Sequence, residues 1–213
     1  MPPAPEISLV PLSTQGRDLD QAAMVAARAF HLDPFFEYLE PGAVRRARAL
    51  ALFWRTTLAS LGDSGEVTGA RQADGRLVGV AAWVPPGSYP PSVVAQVRQM
   101  FGAGRAMALR PRALWDGLRY LLALEGVHPK EPLWYLLLLV VDPSVQRGGI
   151  GTRLQAGGLA TADEAGLDCY LETQKPDNLP YYRRFGYEVV EELHPVRSGP
   201  PLWTMRRPAP GSS

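Results

Sequence analysis

The chain has 213 residues, which predicts one domain with additions that is long enough to bury a sizeable core. Its 22 basic and 21 acidic side chains leave a net charge of +1, which argues against a nucleic acid or an anionic membrane surface as a partner. The single cysteine, Cys169, excludes an internal disulfide and a cysteine-based zinc site. The longest apolar run, 133–141, is far shorter than the about 20 residues of a membrane-spanning helix. With no signal-peptide pattern at the N-terminus, a cytoplasmic protein is expected.

The first third of the chain predicts a strand and two helices. The strand is expected over residues 6–12, where apolar and polar side chains alternate, and the helices over 18–31 and 43–60, where apolar side chains recur at helical spacing. The second helix is expected to bury one apolar stripe while most of its arginines lie elsewhere. The members of that stripe are Val44, Ala47, Ala51, Trp54 and Leu58.

A hairpin and a pair of helices come next. The β-prone runs 65–72 and 77–84 are joined across Asp-Gly, a favoured pair for a tight turn. Two further helices are expected over 92–108 and 112–125, separated by a break near an Arg-Pro pair.

The last third of the chain predicts a return to the sheet. The apolar run 133–141 is bounded by prolines, which is typical of a strand buried on both faces. A glycine-rich turn and a helix to about residue 165 follow, then a strand over 168–173 and a short helix over 179–185. The closing strands are expected over 187–193 and 201–207.

The order of these elements predicts an α/β fold. Strands and helices follow one another in mixed order, which favours a central sheet with helices on both faces. No linker or repeat divides the chain, so residues 1–208 are expected to form a single domain with a helical insertion over about 92–125. Residues 209–213 are expected to be a disordered tail.

The glycine-rich turn after the buried strand is the first motif that carries chemistry. Such a turn lets backbone N–H groups converge on a phosphate at the start of a helix. A Walker loop is excluded because the turn has no lysine, and a Rossmann fingerprint is excluded because Leu154 stands where glycine or alanine is needed. The pattern that remains, Q/R-x-x-G-x-G/A, is met by Gln146, Gly149 and Gly151. Glycine-rich turns also end strands for structural reasons alone, so this hexamer does not decide the function by itself.

A second motif follows about 30 residues later. It places Asn178 before a short helix that carries Tyr182, and Gly186 and an aromatic residue come after the helix. Together the two motifs resemble those of the GCN5-related N-acetyltransferase (GNAT) family. The resemblance covers roughly residues 6–207 and is most specific over 130–190, where the chain is similar to puromycin N-acetyltransferase and its relatives.

The resemblance implies the GNAT fold and the use of acetyl-CoA. That fold has a mixed and mostly antiparallel central sheet of about seven strands. Its fourth strand splays from the fifth, and pantetheine fits in the gap between them. The backbone of Val140 and Val141 matches the positions that contact pantetheine and the thioester oxygen. Asn178 matches the residue that often bonds the pantetheine arm, and a helix N-cap is its alternative role. The residues that match the pyrophosphate-binding turn are Gln146, Arg147, Gly148, Gly149, Ile150, Gly151 and Thr152.

Two side chains are candidates for proton transfer. Tyr182 matches the family's usual general acid near the CoA sulfur, and its alternative role is a buried aromatic that packs beside Phe185 and Tyr187. The fourth strand lacks the glutamate that many family members carry there, so Glu172 on the fifth strand is the candidate general base. The alternatives are that Glu172 is a solvated carboxylate at the strand end, and that a water relay from backbone carbonyls needs no dedicated base.

The acceptor side is expected at the loop 31–38, between the first two helices, because this loop borders the acceptor site in the family. Two acids there would hold a cationic amine and two aromatic rings would stack on it, whereas ordinary loop packing is the alternative. The candidate residues are Asp33, Glu37, Phe35 and Tyr38, together with Tyr89 in the proline-rich loop after the hairpin.

These residues predict an acetyl-CoA-dependent N-acetyltransferase that acts on the primary amine of a small molecule, such as an antibiotic-like aminonucleoside. Two alternatives remain open at this point: transfer to a protein amine, and an acyl-CoA-binding sensor without turnover. The three histidines lack zinc spacing, so no metal is expected. A monomer or a homodimer is expected.

Overall fold

Seven strands form a single sheet within residues 6–88 and 111–211, the parts of the chain that this computed structural model describes. They are β1 (Ile7–Pro11), β2 (Glu66–Gln72), β3 (Leu77–Val84), β4 (Trp134–Val141), β5 (Cys169–Thr173), β6 (Glu188–Leu193) and β7 (Leu202–Arg207). Their order across the sheet is β1-β2-β3-β4-β5-β7-β6, with β4 and β5 parallel and the other pairs antiparallel. The predicted α/β fold with a mixed, mostly antiparallel sheet is confirmed.

Helices cover both faces of this sheet, as predicted. They are α1 (Gly16–Ala29), α2 (Pro34–Leu39), α3 (Ala43–Ser60), α4 (Pro111–Val127), α5 (Ile150–Glu164) and α6 (Leu179–Arg183). On one face, α1 and α3 share a buried apolar cluster with β3 and β4. On the other face, α5 and α6 pack against the same strands and against β5 and β7. The central strands β3 and β4 are therefore covered on both sides, which explains why 133–141 is a nearly continuous apolar run.

The buried face of α3 differs from the predicted stripe. Val44 is 68% exposed, whereas Arg46, which lies two residues later, is buried together with Leu50, Trp54 and Leu58. The Arg46 guanidinium donates to the backbone oxygens of His31, Glu40 and Pro41 at 2.7, 2.8 and 3.0 Å. A buried charge is tolerated when its donors are satisfied, and this network keeps Arg46 inside at a position where hydrophobicity alone predicts an outward-facing residue.

The segment 31–38 is not a plain loop, because α2 occupies most of it. Asp33 is the N-cap, and its carboxylate accepts a hydrogen bond from the Phe35 N–H at 3.0 Å. Pro34 occupies the first helical position, where its fixed φ angle and missing N–H cost nothing. The Asp-Pro pair is thus a helix-start signal that the prediction of a loop missed.

The C-terminal segment belongs to the fold further than predicted. Ala209 is buried, and its N–H donates to the Asp168 carboxylate at 2.7 Å, so the predicted disordered tail does not begin at this residue. Residues 212–213 lie outside the described part of the chain, as do Tyr89 and the predicted helix 92–108. The second helix of the predicted insertion is present as α4.

Candidate active site

The parallel strands β4 and β5 separate soon after they begin. Within the described residues they pair only at Trp134 with Cys169 and at Tyr135 with Tyr170. The remaining residues of β4, up to Val141, run along the edge of a gap, and this is the predicted splay. A cavity of about 590 Å³ occupies the gap and extends beneath α1, α2, α3 and α4.

The register of β4 decides which of its backbone groups face this gap. The N–H of Asp142 donates to the Val78 oxygen at 2.8 Å, so the backbone of Asp142 points toward β3. Backbone groups alternate in direction along a strand, and the β3–β4 register is regular from Gly79 with Val141 to Ala82 with Leu138. Backbone groups of 138 and 140 therefore bond to β3, whereas those of 139 and 141 point into the gap.

This alternation corrects one predicted contact and adds another. Val141 faces its backbone to the gap, as the resemblance implies, but the backbone of Val140 is used by its pairing with Val80. Leu139 is the residue that the sequence analysis missed. Two adjacent residues of a strand cannot both face their backbone groups to the gap, but which of the two does so depends on the pairing with β3.

The side chain of Gln146 lies at the end of the gap. Its Nε2 donates to the Val141 oxygen at 3.0 Å, so this motif residue binds the main chain of β4. Asp142 anchors the same corner, because its carboxylate accepts from the Ser144 N–H at 3.1 Å and from Arg28 Nε at 2.8 Å. Burial alone would raise the pKa of Asp142, but the hydrogen bonds from Ser144 and Arg28 outweigh it and lower the pKa to about 2.

The glycine turn has the backbone shape of an anion-binding loop. Arg147 and Gly149 have φ angles of +66° and +75°, in the left-handed region, and the turn from Gln146 to Gly149 is exposed. The turn leads directly into the first residues of α5, where the N–H groups of a helix have no partner within the helix and the helix dipole is positive. Arg153, by contrast, donates to the Ile7 oxygen at 2.8 Å and serves the fold.

Gly151 and Tyr181 lie in contact where α5 and α6 meet. A Cβ atom on Gly151 would lie 3.2 Å from the Tyr181 hydroxyl, so glycine allows the close approach. The Arg184 guanidinium lies 5.2 Å from the centre of the Tyr181 ring. Tyr181 therefore supports the turn from behind and is not part of the cavity lining, which agrees with the prediction that it packs.

Asn178 links the start of α6 to the end of β5. Its Nδ2 donates to Thr173 Oγ1 at 3.0 Å, and its side chain makes no capping hydrogen bond to the helix, so the alternative capping role is wrong for the side chain. Asn178 and Thr173 both line the cavity. The Asn178 amide is thus held at the cavity wall by Thr173.

Tyr182 lines the same cavity and is only 8% exposed. Its ring packs near-perpendicular to those of Tyr181 and Tyr187, with centroids 5.2 and 5.8 Å away. Burial raises the pKa of Tyr182 well above its usual value of about 10. The phenol therefore keeps its proton at neutral pH and is a potential proton donor to a group in the cavity.

Glu172 is a buried carboxylate, so the alternative of a solvated strand end is wrong. Its side chain is 6% exposed and lines the cavity. Oε2 accepts a hydrogen bond from the Tyr135 hydroxyl at 2.5 Å, and Oε1 lies 3.5 Å from His128 Nδ1. Neither Tyr135 nor His128 was predicted, because they reach Glu172 from β4 and from the segment after α4, and no local pattern encodes that meeting.

The predicted acceptor residues divide into two groups. Asp33 and Phe35 line the cavity, although the Asp33 carboxylate also caps α2, and burial raises its pKa. Glu37 and Tyr38 do not line it. Glu37 pairs with Arg46 at 3.2 Å, and the Tyr38 hydroxyl donates to the Asp116 carboxylate at 2.9 Å. Both side chains of the second group serve packing of α2, so the predicted four-residue cradle is wrong for these two members.

Helix α4 forms a wall of the cavity that the sequence analysis did not anticipate. Its cavity-facing side chains are mostly apolar, and Tyr120 meets Phe35 of α2 with ring centroids 4.7 Å apart. These α4 residues include Ala113, Leu114, Tyr120, Leu121 and Leu124. The side of the cavity formed by α2 and α4 is therefore apolar and aromatic in large part, and Glu172 lines the same cavity.

The chain belongs to the acetyltransferase (GNAT) family, whose sequence profile matches residues 28–187. It is 32% identical over 77 residues to the acetyltransferase Atu2258 of Agrobacterium fabrum, an alignment that covers 35% of this chain and 56% of that protein. The chain thus matches just over half the length of this curated relative.

Two solved structures share the fold over nearly the whole chain. The crystal structure of a histone acetyltransferase HPA2 and related acetyltransferase from Corynebacterium glutamicum has a TM-score of 0.69 and 23% identity, covering 97% of this chain and 99% of the other. The PaiA N-acetyltransferase of Thermoplasma acidophilum, solved in complex with coenzyme A, has a TM-score of 0.56 and 13% identity, covering 95% and 99%.

Residues 6–88 and 111–211 offer neither a cluster of metal ligands nor a helix that could span a membrane. This part of the chain contains no group of three or more His, Cys, Asp or Glu side chains placed to hold a metal ion. None of its helices combines the length and apolar character needed to cross a bilayer.

Proposed function

We propose that this protein transfers the acetyl group of acetyl-CoA to a primary amine of a small molecule. The observation that carries the proposal is the placement of one buried carboxylate, Glu172, and one buried phenol, Tyr182, on the wall of a single cavity between splayed strands. Amine acetylation needs a proton acceptor and a proton donor on either side of the thioester, and this pair supplies both.

The main chain is proposed to hold the donor. The backbone groups of Leu139 and Val141 would pair with the pantetheine amides, and the turn from Gln146 to Thr152 would bind the pyrophosphate. The positive φ angles of Arg147 and Gly149 support this assignment, because turns that bind anions through successive N–H groups contain residues in the left-handed region. Asn178, fixed by Thr173, would bond the pantetheine arm.

The reaction then follows from the two buried groups. Glu172 takes a proton from the ammonium, and the free amine attacks the thioester carbonyl. A backbone N–H of β4 in the gap stabilises the oxyanion. When the carbon–sulfur bond breaks, Tyr182 donates its proton to the CoA thiolate, and the phenolate takes up the second proton, which the attacking nitrogen loses as the amide forms.

The acceptor is proposed to carry its amine on an apolar or aromatic body. Phe35, Tyr120, Leu121 and Leu124 provide walls that favour such a group, and Glu172, which lines the same cavity, would receive the amine. An aminonucleoside of the antibiotic type, the acceptor suggested by the resemblance of residues 130–190 described above, combines an aromatic ring with a primary amine. Asp33 borders the same space and is a candidate contact for the amine.

A panel of amines tests this proposal. CoA release is measured with an aromatic aminonucleoside, an arylalkylamine, an aliphatic polyamine and a peptide with a free N-terminus. We expect the highest kcat/KM with the aromatic amines, and Glu172→Gln should lower it by about tenfold or more while the acetyl-CoA Kd is kept. Preference for the peptide would instead identify a protein acceptor. Tight acetyl-CoA binding without turnover of any amine would contradict the catalytic proposal.

A further inference from the structure

A second cavity lies behind Glu172. It has a volume of about 420 Å³ and is lined by the end of β3, the segment 128–133 and Tyr135. Tyr135 borders both cavities, whereas Glu172 borders only the first and His128 only the second. These three side chains, here called the Glu172 partition, therefore lie between the first cavity, where the reaction is proposed to take place, and the second cavity.

The partition is held in a fixed geometry. The Tyr135 hydroxyl binds Oε2 of Glu172 at 2.5 Å, which leaves Oε1 as the oxygen nearest the imidazole, 3.5 Å from Nδ1. The His128 ring is near-perpendicular to those of Tyr135 and Tyr170, with centroids 5.2 and 5.1 Å away. Only 8% of the His128 side chain is exposed, so its orientation is set by these contacts.

Charged side chains approach His128 from more than one element of the fold. Glu172 approaches from β5, while Glu125, Lys130 and Glu131 share the second cavity with the imidazole. Glu131 is already paired with Arg206 at 2.5 Å. The carboxylate that faces Nδ1 directly is therefore that of Glu172, and an imidazole is the one side chain that accepts a proton at one nitrogen and releases another proton from the other.

We propose that His128 acts through Glu172 and carries the acceptor's proton from Glu172 to the second cavity. This inference rests on the proposed function. The proton moves from the ammonium to the Glu172 carboxylate, then from Oε1 to His128 Nδ1, and the imidazolium loses its other ring proton to water in the second cavity. Glu172 is thereby returned to its charged form while acetyl-CoA and the amine fill the main cavity and block the direct route to solvent.

The experiment uses His128→Gln in the full chain, with His194→Gln as a matched control. His194 also lies beside a carboxylate, that of Glu192 at 3.2 Å, but its side chain is 62% exposed and lines neither of the two cavities. The kcat for CoA release is measured at fixed pH and ionic strength in dilute and in concentrated imidazole buffer, alongside the acetyl-CoA Kd and the Tm.

In dilute buffer, His128→Gln is expected to lower kcat by about tenfold or more, with acetyl-CoA affinity kept. Imidazole should restore most of this loss by removing the proton in place of His128, and it should not change kcat of the wild type or of His194→Gln. His128→Asn, which places an amide near the Nδ1 position, is a second variant in case the first does not fold, and the same buffer dependence is expected.

Two results would overturn the inference. One is a folded His128 variant with wild-type kcat in dilute buffer, and the other is a loss of kcat that imidazole does not restore at any concentration. Both presuppose a wild-type protein that turns over an amine. If the wild type binds acetyl-CoA and acetylates none of the panel, the proposed function itself fails, and this outcome is distinct from the other two.

Discussion

The two ends of the cavity are built from different parts of the chain and by different means. On the side proposed for acetyl-CoA, the wall comes from one continuous stretch of chain, in which the backbone groups of 139 and 141 face the gap and the glycine turn follows. On the amine side, the walls are side chains from α2, α3, α4 and β4, which lie far apart in sequence. A donor that is constant across a family is matched by backbone shape, whereas the acceptor is matched by side chains that the fold alone brings together.

The largest expected effect concerns proton donation, where the two neighbouring tyrosines are compared. Tyr182→Phe removes one hydroxyl with little change in volume and should lower kcat by about 100-fold or more, with the acetyl-CoA Kd nearly unchanged. Tyr181→Phe is the matched control, because that hydroxyl contacts Gly151 and not the cavity. Steady-state kinetics and acetyl-CoA titration of both variants check this, and an equal loss in the two would show that the assignment of the acid is wrong.

The same tyrosine predicts a pH dependence. Burial raises the pKa of Tyr182, so the protonated and catalytically competent form persists through the range where an ordinary tyrosine titrates, at about pH 10. The kcat of the wild type is therefore expected to stay level on its alkaline side to about pH 10. A decrease in kcat centred clearly below that pH, with the protein still folded, would contradict a role for Tyr182 as the acid.

The next largest expected effect concerns the glycine turn, which is proposed to bind acetyl-CoA through its main chain. Gly149→Val places a branched side chain at a φ angle of +75°, which strains the turn and should weaken acetyl-CoA binding by about tenfold or more. Gly148→Ala is the control, because its new Cβ would lie 3.5 Å from the Val145 oxygen, an ordinary contact. Calorimetric titration with acetyl-CoA measures both, and equal affinities for the two folded variants would count against the turn as the phosphate site.

The smallest expected effect concerns the side chains that form the cavity wall on the side proposed for the amine. Leu121→Ala enlarges the cavity wall on α4 and should raise KM for a bulky aromatic amine by about fivefold, with little change in KM for acetyl-CoA. Glu37→Gln should leave both KM values almost unchanged, because Glu37 itself does not line the cavity. A larger effect from Glu37→Gln than from Leu121→Ala would restore the acidic cradle that the sequence predicted.

The contrast between the main-chain side and the side-chain side of the cavity also explains how much of the site the sequence predicts. The strand 133–141, the glycine turn and the helix that carries Tyr182 are encoded by contiguous patterns, and each lies where expected. Val140 was assigned wrongly because the choice between odd and even residues of a strand depends on its pairing with β3. One backbone hydrogen bond, from Asp142 to Val78, resolves that choice.

On the acceptor side, the sequence predicted the chemistry of the side chains but not the partners they have in the fold. Glu37 and Tyr38 have the right chemistry for holding a cation, but they pair with Arg46 and Asp116, which come from α3 and α4. Arg46 itself is buried against the amphipathic pattern of its helix because three backbone oxygens accept its hydrogen bonds. His128 reaches Glu172 across more than forty positions of sequence, and no periodicity records such a contact.

The most direct test of the account is residue-resolved hydrogen exchange of the β4 amides, measured by NMR with and without CoA. In the free protein, the N–H groups of Leu138 and Val140 should exchange slowly because they bond to β3, whereas those of Leu139 and Val141 should exchange fast. Saturating CoA should slow the exchange of Leu139 and Val141 and of the turn amides from Arg147 to Thr152, and leave Leu138 and Val140 unchanged. Bound CoA that leaves Leu139, Val141 and the turn unprotected would contradict the claim that the main chain of β4 and the glycine turn hold the donor.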